Sequence, residues 1–231
     1  MTGPATVSAA RRREVIDALR RGTVPQAGLD LFAAGMERFE NAIDDELANV
    51  AAGRSTFKAV RGEYGSGKTF FARWLAERAK RRGMAAAEIQ ISETETPLHR
   101  LEAVYRRLVE QLSTAAYPPS ALHEIIAAWF YTLEEDVLAE GTIRPDDAEA
   151  LATGVDALLE RRLADVARTT PAFAAALRAH RRATLAGDQA TAESLIAWIG
   201  GQPNVAASAR RAAGVRGTWI TLPRSGSCRG C

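Results

Sequence analysis

Apolar residues recur at helical spacing over most of this chain, and twice that rhythm gives way to a short apolar run. Val15, Ile16 and Leu19 mark the inward face of a first helix predicted over Val7 to Arg21, which Gly22, Pro25 and Gly28 end. Phe39, Ile43, Leu47 and Val50 fall on one stripe of a second helix, from about Met36 to Ala52, closed by Gly53. Phe57, Lys58, Ala59 and Val60 then read as a short buried strand. Phe70, Phe71, Trp74 and Leu75, with Ala72, Ala76 and Ala79, read as a helix soon after it. Gly83 makes a turn, and Ala85 to Ile91 reads as a second strand; strands alternating with helices predict a parallel sheet.

From Leu98 onward the period is helical with no evident strand. Leu98, Leu101, Tyr105, Leu108 and Leu112 mark one helix, and Leu122, Ile125, Ile126, Trp129, Phe130, Leu133 and Val137 the next, with Pro118 and Pro119 between them. A third begins behind Pro145, Asp146 and Asp147 and carries Leu151, Val155, Leu158, Leu159, Leu163 and Val166. Phe173 with Leu177, then Leu195 with Ile196 and Ile199, predict two more. Pro203 and Asn204 open a last one, ending near Gly214. The predicted fold class is α/β: a core with an incomplete parallel sheet and a large α-helical second half. Its divisions are a helical lead-in over 1–55, a strand-loop-helix-strand core over 56–96, a helical region over 97–217 and an irregular tail over 218–231.

Between the first predicted strand and its helix stand Gly62, Glu63, Tyr64, Gly65, Ser66, Gly67, Lys68 and Thr69, which spell G-x-x-x-x-G-K-T, the phosphate-cradling (Walker A) P-loop of nucleotide triphosphatases. The chemistry explains the spelling. Glycines let the backbone curl so that successive N–H groups point at phosphate oxygens, Lys68 reaches the β- and γ-phosphates, and Thr69 offers its hydroxyl to Mg²⁺. The following helix adds the positive end of its dipole. The plain alternative is a glycine-rich turn with an incidental Lys-Thr. No N-K-x-D guanine-reading motif accompanies the loop, so adenine is the expected base. Leu31, Phe32 and Gly35 are candidates for a wall against it, with ordinary core packing as the alternative.

A hydrolysing enzyme of this class also needs an apolar strand ending in Asp or Asp-Glu. The nearest stretch, Tyr131 to Asp136, has helical periodicity on both sides. Glu93 and Glu95 are catalytic candidates at the end of the second predicted strand, where Thr94 or Thr96 as a helix cap is the alternative. Binding of Mg-ATP with little or no hydrolysis follows.

Composition narrows the setting more than the chemistry. With 47% hydrophobic and 25% charged residues, and no apolar run near ~20 residues, the chain offers no membrane span, and the expected location is the cytoplasm. Arg11, Arg12 and Arg13 are followed by Glu14 and Asp17, not by the apolar run of a signal peptide. The net charge of +2 does not support DNA binding. The arginine pairs Arg106 with Arg107, Arg161 with Arg162, Arg181 with Arg182 and Arg210 with Arg211 read as solvated faces or, alternatively, as a phosphate-facing surface. Cys228 and Cys231 form half of a zinc site with no second pair at ligand spacing, and His99, His123 and His180 stand on separate predicted helices.

The run from Arg20 to Gly141 carries R-R-G-T-V-P at Arg20 to Pro25, F-K-A-V-R-G-E-Y-G-S-G-K-T-F at Phe57 to Phe70 and I-S-E-T-E-T-P-L at Ile91 to Leu98. It resembles the ATP-binding protein family of bacteriophage exclusion (BREX) defence systems. That resemblance implies an AAA-like P-loop ATPase core, ATP bound at Gly62, Gly65, Ser66, Gly67, Lys68 and Thr69, and service in anti-phage defence beside other proteins of the system. Members of the family run longer and carry the apolar strand with its acidic pair downstream. Thr218 to Pro223 departs from the pattern, and one coding of these residues, shifted by a base, reads Asp-Leu-Asp-His-Phe-Ala. A frameshift that truncates the protein is the expectation. Two further readings stay open: a small-molecule kinase whose helical lid brings Arg178, Arg181 and Arg182 over a phosphate, and a non-enzymatic helical interaction module.

Overall fold

The computed structural model describes residues 8–25, 28–31, 33–205 and 207–215. These divide into two compact units, a first up to Glu88 that also takes in Ser113–Ala116, and a second formed by Ile89–Leu112 and the residues from Tyr117 onward.

In the first unit, α1 (Ala9–Arg20), a 3₁₀ turn (Leu29–Leu31), α2 (Glu37–Ala51) and α3 (Lys68–Arg81) are the regular elements. Leu29, Ile43, Leu47, Trp74 and Ala79 are buried together as its core. On α1, Val15 and Ala18 face inward, while Ile16 and Leu19, expected beside Val15, are exposed. On α2, Ile43 and Leu47 are buried as expected, but Phe39 and Val50 are not. Helix α3 organises this unit through its polar side chains. The Glu77 carboxylate accepts the N–H groups of Gly28 (3.2 Å) and Leu29 (3.1 Å), and Arg73 Nη1 donates to Val24 O at 2.6 Å. Arg78 grips Asp44 with two bonds of 2.6 and 2.8 Å and reaches Glu40 at 3.3 Å, which fastens α3 to α2.

The expected α/β class with a parallel sheet is not what the chain adopts: among the described residues the fold is helical, with no strand. Residues 54–63 are non-helical and exposed along their length, with Phe57 91% exposed. A strand exists only by virtue of a neighbour that takes its N–H and C=O groups, and Phe57 to Val60 has none here. Ala85 to Ile91 offers one residue to pairing. Ala86 exchanges both backbone bonds with Ser113 (2.8 and 2.9 Å) in an isolated antiparallel bridge, so its partner is a later loop residue.

The second unit holds α4 (Leu101–Glu110), α5 (Leu122–Ala139), α6 (Ala148–Thr169), α7 (Pro171–Leu185), α8 (Gln189–Ile199) and α9 (Ala207–Ala212). Local chemistry sets their starts. The Asp147 carboxylate accepts from Ala150 N–H at 3.0 Å, Asp188 accepts from Thr191 N–H at 3.1 Å, and Pro171 occupies the first turn of α7, where its missing N–H costs nothing. Phe130, Leu133, Val137, Val155, Leu159, Leu177, Leu195 and Trp198 are among its continuous core. Tyr105 on α4 donates its hydroxyl to Ile199 O at 3.0 Å, and burial pushes its phenol up to about 12. None of these helices is long and apolar enough to cross a membrane.

Candidate functional site

Residues Gly62 to Thr69 form an exposed curl that runs straight into α3, as the motif predicts, although no strand precedes it. Gly65 has φ +79° and Gly67, the cap residue of α3, φ +89°, so the backbone turns through the left-handed region twice within three residues. Side chains at those positions would be strained. At Gly62 the constraint is space, since a Cβ there would stand 2.4 Å from Ser66 Oγ. Two backbone bonds close the curl, Ser66 N–H to Glu63 O (3.2 Å) and Phe71 N–H to Gly67 O (2.9 Å). Among the described residues the N–H groups of Gly65, Gly67, Lys68 and Thr69 take no acceptor. They form the orphan donor set of a helix start extended by a loop.

Lys68 folds back over the curl, its ammonium donating to Gly62 O at 2.8 Å and Glu63 O at 2.7 Å. An ammonium has three N–H donors, so these bonds fix the side chain over the loop and leave one donor for an incoming oxygen. Thr69 is exposed, and its hydroxyl has no partner among the described residues. It suits a hard cation that takes oxygen ligands.

The curl forms one wall of a cleft of roughly 580 Å³. Its apolar lining includes Met36, Phe39, Ile43, Val60, Phe70 and Phe71, and the charged residues that line it are Arg38, Lys58, Arg61 and Lys68. Phe39 meets Phe71 edge to face at 6.3 Å, and Phe71 lies 5.8 Å from Trp74, so the buried indole backs the apolar wall. Lys58 is paired with Glu46. The carboxylate of Asp44, next in sequence to the lining residue Ile43, is held well under the usual range by its bonds to Arg78 and Arg82.

The other sequence candidates fall elsewhere. Leu31 and Gly35 are not among the residues lining the cleft, where Met36 and Phe39 stand instead, and Phe32 lies outside the described residues. Glu93 and Glu95 are exposed in a bend of the second unit, where Ser92 Oγ accepts the N–H of Glu95 (3.0 Å) and of Thr96 (3.3 Å). The next helix does not begin until Leu101, so neither Thr94 nor Thr96 caps it. Glu134 and Asp136, in the acidic run nearest to a metal-binding strand, are on α5, paired with Arg181 (3.6 Å) and Arg162 (3.3 Å). Arg178, suggested for a kinase lid, is paired with Glu160, and Arg181 is buried between Glu134 and Asp156. Cys228, Cys231 and the tail after Val215 lie outside the described residues. No group of three or more metal-ligating side chains gathers among those described.

A second cleft, of roughly 430 Å³, opens in the helical unit between α5, α7 and α8, lined by His123, Phe130, Tyr131, Glu134, His180 and Arg181 among others. His180 is buried and stacked on Phe130 at 5.9 Å. Its Nδ1 lies 3.1 Å from Ala192 O, and because a carbonyl only accepts, Nδ1 carries the proton. Burial pulls this imidazole below its ordinary range, against the carbonyl bond, and His123 adds to the fall.

The cationic cleft and its curl are what sequence spacing could only half foresee: the motif announces the loop, and Arg61 stands in the run around it, while Arg38 carries no signal in one dimension. The family model described as BREX system ATP-binding protein BrxC/D matches residues 7–220. No curated protein and no solved structure matches the chain. The chain belongs to the BREX system ATP-binding protein BrxC/D family.

Proposed function

We propose that this chain binds Mg-ATP at Gly62, Glu63, Tyr64, Gly65, Ser66, Gly67, Lys68 and Thr69, turns it over little or not at all by itself, and serves phage defence beside other proteins of a BREX system. One observation carries the reading. A curl with four unpaired backbone N–H groups and a fixed ammonium lies against a cleft whose charged lining is wholly cationic. Polyphosphate is the ligand chemistry such a lining suits. The apolar wall of Met36, Phe39, Ile43 and Phe71 gives an adenine a face to lie on. Thr69 is the residue that would hold Mg²⁺, which shields the phosphate charge when bound.

Several acidic residues of the first unit are already engaged, which supports low turnover. Glu40 and Asp44 hold Arg78, Glu46 holds Lys58, Glu77 holds the turn at Gly28 and Leu29, and Glu88 holds Arg73. A carboxylate spent on an arginine is a poor base for a water.

Thermal melting with and without Mg-ATP tests the assignment. At a ligand concentration a hundred times Kd the stabilisation is about 2.7 kcal/mol, a rise of several degrees, and Lys68→Ala abolishes it. Melting that ignores ATP, or a shift that survives Lys68→Ala, removes the nucleotide reading. Phosphate release above the level of the Lys68→Ala protein removes the claim of low turnover.

A further inference from the structure

We propose that Arg38 and Arg61 count phosphates, making this cleft select a triphosphate over a diphosphate. The inference rests on the nucleotide reading above and deepens it, because the loop alone grips any nucleotide with a diphosphate. The eight-residue G-x-x-x-x-G-K-T motif includes neither arginine, and they come from separate elements. Arg61 stands directly before the curl at Gly62, and Arg38 lies in the first turn of α2 on another wall of the same cleft.

Their electrostatic state sets them apart. Four arginines on or next to α3 are neutralised: Arg73 by Glu88, Arg78 by Asp44 and Glu40, Arg81 by Asp30 and Glu77, Arg82 by Asp44. Of the cations that line the cleft, Lys58 is paired with Glu46 and Lys68 is bonded to loop carbonyls. Arg38 and Arg61 have no ion pair with any described residue, and no carboxylate lines the cleft to offset them. Arg38 lies over the Phe39 ring, 4.6 Å from its centroid, which fixes one face of the guanidinium and leaves its N–H edge for an anion. Uncompensated guanidiniums facing one cleft place a positive field beside the loop.

The loop amides hold the first two phosphates, and Lys68 alone of the loop reaches on to the third. A third adds about one unit of negative charge, which meets the two arginines in a half-wet cleft and gains on the order of tenfold in affinity there. Planar guanidiniums suit phosphate oxygens better than ammonium groups do, but a lysine in the same place keeps most of the charge.

The test compares Mg-ATP with Mg-ADP by calorimetric titration, and inorganic triphosphate with pyrophosphate as probes lacking a base. In the unaltered chain the triphosphate of each pair binds about tenfold tighter. In the Arg38→Gln/Arg61→Gln double variant both ratios fall towards one, because the loss falls on the triphosphates. Arg38→Lys/Arg61→Lys restores most of the preference. Both side chains are exposed, so the melting temperature without ligand stays where it was and misfolding does not mimic the result. A ratio that survives the Gln pair overturns the inference, as does an equal loss for diphosphate and triphosphate, which marks a general field and not phosphate counting. Displacement of ATP by a single-stranded oligonucleotide at comparable concentration also overturns it, since the arginines then serve a polynucleotide backbone. If the unaltered chain binds neither ATP nor ADP, it is the nucleotide reading that fails; if it binds both and only the ratio is insensitive, that reading stands and this one falls.

Discussion

Gly67 shows what a single residue contributes to the candidate site. It holds φ +89° at the junction of curl and helix, and a Cβ there would meet nothing within 4 Å. The cost of a side chain is therefore conformational and not steric, about 1 kcal/mol for an L-residue forced into the left-handed region. Gly67→Ala is expected to lower the unfolding free energy by about that amount in urea titration. It also reduces the Mg-ATP melting shift by at least half, since relief of the strain re-aims the neighbouring amides. An unchanged shift would mean that the curl does not present those amides to the ligand. This part of the site was legible in the sequence because the motif encodes local backbone geometry. The role proposed for Arg38 was not: it depends on which carboxylates fold against which arginines, and Asp44 is drawn to Arg78 and Arg82 from another helix.

At the scale of elements, helices were readable and strands were not, for one physical reason. A helix satisfies its own backbone, so the stripe Ile43 and Leu47, or Leu158, Leu159 and Leu163, predicts it from within. A strand is defined by a neighbour, and the apolar run at Phe57 to Val60 has none among the described residues. Even on correctly predicted helices the inner face drifted. Phe39 turns to the cleft and Ile16 to solvent, because a stripe fixes a face only to within the width of its packing partner. Gly154 on α6 is a contact no pattern announced. A Cβ there would lie 2.9 Å from both Ile143 Cδ1 and Val137 Cγ1, so α5 and the loop after it press directly on the α6 backbone. Helix propensity favours Gly154→Ala by about 1 kcal/mol, whereas overpacking costs about 1–3 kcal/mol. Packing wins: Gly154→Ala is expected to destabilise by about 1 kcal/mol net, measured by urea unfolding. Adding Val137→Ala should give a total loss smaller than the sum of the two single losses. A stabilised Gly154→Ala would show that the neighbours yield at no cost.

On the scale of the whole molecule the described residues form two hydrophobic cores, and the proposed ligand and the proton address different ones. The cleft proposed for nucleotide belongs to the unit built on Leu29, Ile43, Leu47 and Trp74. His180 belongs to the helical unit, stacked on Phe130, with His123 and Glu134 of α5, Arg181 of its own helix and Gln189 of α8 around the same cleft. Burial holds its folded-state pKa below the ordinary 6.5, so the unfolded chain takes up the proton first. The stability this neutral imidazole carries is whole above pH 6.5 and is lost progressively as pH falls below it. In the first unit, Arg78 and Arg82 hold the Asp44 carboxylate well below the usual carboxylate range, so it does not share this window. Scanning calorimetry from pH 7.5 to 5.5 is therefore expected to lower the transition of the helical unit by a few degrees. Mg-ATP is expected to raise the transition of the other unit. His180→Asn keeps a donor for Ala192 O without a titrating group, and it should flatten the pH dependence while leaving the ATP shift intact. A pH profile unchanged by that substitution would assign the proton uptake to another group.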